Sequence, residues 1–199
     1  MLKPLEPYIL TFIPIFVAVD IIGILPMFIS LVEGTSKKSR ARAIVESVTT
    51  ATVLSIIFML VGKWIFRLIG ISIPDFQIAG GALLFVISVR FLLPGMHKAV
   101  FFEGRHKDVG IFPLGTPLIT GPAVLTTTII MLDTFGIIPT FVSLVANMLI
   151  VWFVLSKADF FMKIMGPGGT RAFSKVMYIL LAAIGVMMVR RGIEGILIK

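Results

Sequence analysis

"FPLGTPLITGPAVLTTTII", residues 112–130, is apolar enough to lie in a lipid bilayer, yet Pro113, Gly115, Pro117, Gly121 and Pro122 stand where an unbroken spanning helix would carry leucines. Proline removes a backbone donor, and its ring clashes with the carbonyl four residues back. In hydrocarbon an unsatisfied backbone group is costly, so irregular backbone persists at depth only where protein buries it or where it lines a polar cavity. The stretch therefore predicts a half-helix from about Ile111 to Leu118, a non-helical passage over 119–122, and a second half-helix through Leu132.

The composition says that a bilayer is the right solvent to consider. Soluble domains are roughly 45–50% apolar and about 25% charged. Here 58% of the 199 residues are hydrophobic and 14% charged, and the mean hydropathy is +1.09. That is the profile of an integral membrane protein, with one domain over residues 1–199. The net charge of +8 comes from short basic clusters between apolar runs, the pattern of cytoplasmic loops, and does not imply a nucleic-acid partner. There is no cysteine, which excludes disulfides, thiolate catalysis and cysteine-based metal sites. The first apolar run, Tyr8 to Val32, is too long for a signal-peptide core and carries Asp20, so it is expected to be a retained helix.

Six stretches approach the ~20 apolar residues that a crossing requires: 8–32, 44–61, 76–93, 111–132, 138–156 and 174–189. With the N-terminus outside, the connections on the cytoplasmic side hold twelve of the 18 Lys and Arg residues, in the clusters 37–42, 90–107 and 157–175. The positive-inside tendency then leaves both termini outside the cytoplasm. Trp64, Trp152, Tyr8 and Tyr178 fall near segment ends, which suits either an interfacial belt or ordinary packing.

The chain also resembles itself. "WIFRLIG" (64–70) precedes "FFMKIMG" (160–166) by 96 residues, with a basic residue and a closing glycine in register. "FIPIFVAVDIIGILP" (12–26) stands about a hundred residues before "FPLGTPLITGPA" (112–123), each a proline-punctuated segment that opens its half. Two units of three spans, about 5–95 and 105–195, would enter the membrane from opposite sides. The expected fold is thus all-α: six transmembrane helices arranged as two inverted three-helix repeats, with helices 1 and 4 discontinuous. Interrupted helices in matching places of inverted repeats characterise secondary transporters.

Half-helix N-termini present free N–H groups and a positive dipole end that suit a carboxylate, while unwound carbonyls suit a cation. A zwitterionic amino acid needs both. Gly23 and Gly121, one at each break, would let backbone approach a ligand. Asp20 lies well inside the first segment, where an aspartate costs roughly 2.5–3.5 kcal/mol on insertion scales. It is expected to bind the coupling cation, to cap the second half-helix, or to do both. Thr116 and Thr120 share a face at α-helical spacing, with Thr126, Thr127 and Thr128 adding hydroxyls beyond Pro122. Asn147, midway along the fifth segment, points inward to substrate or to an interhelical hydrogen bond. Glu46 reads as an interfacial residue, Gly80 and Gly81 as a point of close helix approach, and His97 and His106 as solvated loop residues without metal-ligand spacing. The candidate site is Asp20, Gly23, Thr116, Thr120, Gly121, Pro122 and Asn147, with no metal and no cofactor beyond a coupling ion, sodium or proton.

Across "FPLGTPLITGPAVLTT", "VDIIGILPMF" and "FQIAGGALLFVISVRFL" the chain resembles the MarC family, which includes the small neutral amino acid transporters called SnatA. The resemblance covers nearly the whole chain. It implies a multi-pass inner-membrane protein that moves glycine, alanine and related neutral amino acids in symport with a cation. It also implies that Asp20, Gly23, Thr120, Gly121 and Pro122 line the site. The usual first-segment pattern has proline after the aspartate and asparagine after the glycine; Ile21 and Ile24 stand there instead. Export of metabolites or drugs is the alternative reading. An intramembrane enzyme lacks a catalytic set at depth, because Asp20 has no second mid-membrane acid near it in sequence. Direction of transport and oligomeric state stay open.

Overall fold

In the computed structural model, which describes residues 5–32, 35–93 and 110–197, the chain is all-helical, with no strand among those residues. The elements are α1 (Glu6–Val19), α2 (Ile21–Val32), α3 (Lys37–Ile69), α4 (Ile73–Leu92), a π-helical segment π1 (Gly110–Ile119), α5 (Pro122–Phe135), α6 (Ile137–Ser156) and α7 (Ala158–Leu197). Among the described residues, five helices are long and apolar enough to cross a membrane, counting Glu6–Leu25 as one through its break. The fourth expected segment is two short helices: α5 alone has 14 residues, about 21 Å at 1.5 Å per residue, against a hydrocarbon core of about 30 Å. His97, His106 and the basic residues 98–107 lie outside the described residues.

Both expected breaks are present, and the second is narrower than the expected passage over 119–122. Between α1 and α2 a single residue, Asp20, adopts the left-handed conformation (φ 49°, ψ 56°), and α2 restarts at once. Pro14 is accommodated inside α1 and Pro26 lies within α2, so the prolines flank the break without making it. Between π1 and α5 only Thr120 and Gly121 are non-helical, and Pro122 takes the first helical position, where its missing donor is harmless. The π geometry, seen in the bond from the Thr120 N–H to the Gly115 carbonyl, has no signature in side-chain pattern.

Caps set the other ends. Ser36 accepts the Ser39 N–H to start α3, Ser72 and Asp75 form a capping box on α4, and Gly70 ends α3 at φ 76°. Gly166, at φ 64° and ψ 174°, divides α7 into a short first piece and a long second one.

The second half-helix α2 lies at the centre, with Met27, Phe28 and Ile29 fully buried. Around it α4 packs along α7, α3 along π1, and α1 along α6. The α4–α7 seam is close because it is built on glycine. A Cβ on Gly81 would lie 2.6 Å from the Gly185 carbonyl, and a Cβ on Gly185 would lie 2.7 Å from the Gly81 carbonyl. Gly80, beside it, seats the ring of Pro122. Outward-facing positions carry Leu68, Trp64, Phe153 and Ile179, all exposed, as lipid-facing surfaces do. Tyr178 is buried and stacks on Phe91 with centroids 5.2 Å apart, so it is a packing residue.

Candidate functional site

A cavity of about 510 Å³ walled by α1, α4, α5 and α7 takes in Asp20 at the first break and Ala123 just past the second. Its polar lining is Asp20, Gln77, Thr126, Thr127 and Arg191, set among Ile13, Val17, Ile184, Met187 and Met188. Asp20 follows fourteen residues of α1, about 21 Å along the helix, which puts it deep in a hydrocarbon layer.

At the first break Asp20 is the N-cap of α2. Its Oδ1 accepts the Gly23 N–H at 3.2 Å, and the Asp20 carbonyl accepts the Gly23 and Ile24 N–H groups at 3.0 Å. The carboxylate folds over Gly23 so closely that a Cβ there would collide with Oδ2. Glycine at position 23 makes room for the Asp20 side chain.

At the second break the same role falls to Gly121, which has no side chain to offer, and α5 begins without a side-chain cap. Its backbone is extended (φ −85°, ψ 173°), a conformation open to any residue, so nothing in the backbone demands glycine. Ala123, in the first turn of α5, is part of the cavity wall. One half-helix N-terminus is therefore closed by a carboxylate of the chain, and the other is left without a side-chain partner beside the cavity.

The remaining candidates do not gather there. Thr120 is buried and donates to the Ala51 carbonyl at 2.8 Å, with Ser55 Oγ at 3.2 Å, so it ties the second break to α3. Pro122 packs on Gly80. The Thr116 hydroxyl is buried without a hydrogen-bond partner among the described residues. Asn147 is fully buried on α6 and donates to the Ser143 and Phe12 carbonyls, beside a Thr11–Ser143 hydroxyl pair at 2.6 Å. It joins α6 to α1, away from the cavity lining. Thr126 is at the cavity, with its hydroxyl turned back to the Pro122 carbonyl at 2.8 Å. Glu46 pairs with Arg42 one turn away. Gln77 and Arg191 were not among the sequence candidates; each sits near one end of an apolar segment, and only the packing of α4 on α7 brings them to Asp20. No cluster of metal-ligating side chains occurs among the described residues.

Apolar helices, an exposed apolar surface and a cavity with polar lining beside a broken helix define a multi-pass helical integral membrane protein. Over residues 5–197 the chain matches the family model described as MarC family integral membrane protein, and it belongs to that family. It is 34% identical to a UPF0056 membrane protein of Methanocaldococcus jannaschii over 95% of this chain and 87% of that one. A second UPF0056 membrane protein of the same organism is 32% identical over 98% and 99%. The UPF0056 membrane protein YhcE of Escherichia coli is 27% identical over 95% and 93%. No solved structure matches the chain.

Proposed function

We propose that the protein is a secondary transporter of small neutral amino acids, glycine and alanine among them, coupled to a sodium or proton gradient and working by alternating access between two inverted three-span repeats. The observation that carries the reading is the unequal capping of the two half-helices at one cavity. Asp20 supplies α2 with its own carboxylate, whereas α5 offers its N-terminal N–H groups and positive dipole end beside the cavity. A substrate carboxylate takes the place on α5 that the Asp20 carboxylate takes on α2. The free Oδ2 side of Asp20 then receives the substrate ammonium or the coupling cation.

The packing supports the repeat. If α1, α2, α3 and α4 are exchanged for π1, α5, α6 and α7, the contact of α3 with π1 becomes that of α6 with α1, α2 with α7 becomes α5 with α4, and the Gly81–Gly185 crossing maps onto itself. In this reading π1 and α5 together make the fourth of six crossings, and the basic clusters face the cytoplasm of the cell membrane, with both termini outside. The cavity then opens toward the outer side. The Arg40–Asp159 ion pair ties the start of α3 to the start of α7 at the cytoplasmic end, closing it across the two halves. Membrane lipid covers the exposed apolar faces, and no catalytic chemistry or cofactor is required.

Ligand-induced stabilisation tests the binding step. A ligand that binds only the folded state at a hundred times its Kd adds about 2.7 kcal/mol. Glycine and alanine should therefore raise the melting temperature of the purified protein, whereas ethylamine and propionate, each lacking one charge, should not. Equal shifts with all four, or none with any, would refute zwitterion recognition.

A further inference from the structure

A second cavity, of about 230 Å³, lies between the start of α3, the end of α6 and the start of α7, and shares no lining residue with the one beside Asp20. Its walls grade from polar to apolar along two helices at once. On α3 the lining passes from Lys37 and Arg40 to Ile44 and Val45, and on α6, followed back from its end, from Ser156 to Trp152. The step from Lys37 to Val45 is about 12 Å along the helix, enough to cross a head-group layer of about 5–8 Å and reach hydrocarbon. Val45 is 54% exposed and Trp152 47%, so the apolar end of the cavity lies open at the lipid-facing surface. Tryptophan favours that level of a bilayer, where one side of the ring is apolar and the other wet.

The charges at the polar end do not balance. Lys37 and Arg40 stand against Asp159, an excess of one positive charge in the lining. Arg40 is committed: it pairs with Asp159 and donates through Nε and Nη2 to the Thr35 carbonyl at 3.3 and 3.0 Å. Lys37 has no ion-pair partner among the described residues. Its neighbours add to the excess, because Lys38 and Arg42 follow it in a helix whose first turn holds no acidic residue. An anion free in water would gain nothing from the apolar half of the lining. A phospholipid uses both halves, its phosphate at Lys37 and its first methylenes on Val45 and Trp152. The volume is below the 300–1,000 Å³ of pockets that enclose whole ligands, which suits a head group whose acyl chains stay outside.

We infer that this cavity binds the head group of an anionic phospholipid, with Lys37 holding the phosphate and Val45 and Trp152 bearing on the adjoining methylenes. Basic pockets between transmembrane helices recognise anionic head groups in this way. Such a site requires only that the chain span a membrane, and it is independent of the amino-acid reading above.

The chain has two tryptophans, Trp64 and Trp152, so Trp64→Phe leaves a reporter at the cavity alone. Trp64 stands near the far end of α3, about 40 Å from Lys37 at 1.5 Å per residue, and reports the opposite face. The full chain is reconstituted in phosphatidylcholine vesicles, and quenching of fluorescence by phosphatidylglycerol with brominated acyl chains is compared with quenching by phosphatidylcholine carrying the same chains. At Trp152 the anionic lipid is expected to compete roughly fivefold better, the scale of one basic residue at an anionic surface. Lys37→Gln should bring that ratio to one and Lys37→Arg should keep it. Trp64, read in Trp152→Phe, should be quenched to the same extent with and without Lys37→Gln. Glycerol phosphate added in water should leave the preference at Trp152 in place. Equal quenching of Trp152 by the two lipids, a preference that survives Lys37→Gln, or its loss to glycerol phosphate would each overturn the lipid site.

Discussion

Asp20→Asn is expected to abolish gradient-driven accumulation of substrate while leaving the protein as stable as before. The substitution separates two roles that the structure combines in one side chain. As N-cap of α2, the residue needs an oxygen that accepts the Gly23 N–H, now 3.2 Å from Oδ1, and a backbone that tolerates the left-handed conformation at φ 49°. Asparagine meets both needs, being about equal to aspartate as an N-cap and enriched in the left-handed region. It lacks the negative charge that holds a cation at this depth. Exchange of substrate between equal compartments should therefore persist while concentrative uptake disappears. Asp20→Ala serves as the contrast: it removes the cap as well, at a cost of about 1 kcal/mol or more, and should lower the melting temperature. Unchanged concentrative uptake by Asp20→Asn would leave Asp20 with the capping role alone.

Gly121→Asp should eliminate substrate binding without destabilising the helix it caps. The position is N-cap of α5 in an extended conformation that any residue adopts, and no side chain now serves that end. An aspartate there reproduces on α5 the arrangement that Asp20 makes on α2, occupying the N–H groups assigned to the substrate carboxylate. Aspartate is among the best N-cap residues, so the melting temperature should hold or rise while affinity for glycine and alanine falls by about a hundredfold or more, the scale of two lost charge-assisted hydrogen bonds. Gly121→Ala, a milder change, should weaken alanine more than glycine, because the added methyl takes space beside the substrate Cα. If position 121 serves packing alone, both variants lose stability and both amino acids lose affinity in equal proportion. Normal binding by a stable Gly121→Asp protein would remove the proposed carboxylate site.

The breaks were legible in the sequence because they are written in residues with local consequences. Aspartate at depth, glycine beside it, and the Thr-Gly-Pro run each act on their own few backbone atoms, and α1–α2 and π1–α5 part within a few residues of the expected positions. What the sequence concealed depends on contacts between distant segments. Gln77 and Arg191 are more than a hundred residues apart and line one cavity only because Gly81 and Gly185 let α4 and α7 close on each other. Asn147 carries the same inward-facing signal whether it meets a ligand or a neighbouring carbonyl, and only the fold shows its amide N–H on the Phe12 carbonyl. The π-helical path of Gly110–Ile119 is likewise set by backbone hydrogen bonds that no side-chain pattern announces. Gly23 was expected to admit a ligand, yet the group that lies against it is the Asp20 carboxylate.

The most direct measurement is uptake of labelled alanine into proteoliposomes with sodium and pH gradients imposed one at a time. Cation-coupled transport requires alanine to accumulate above its external concentration under one of the two gradients, and to run down when an ionophore collapses that gradient. Uptake no greater than in protein-free vesicles under either gradient would contradict transport, and equilibration without accumulation under both would contradict coupling.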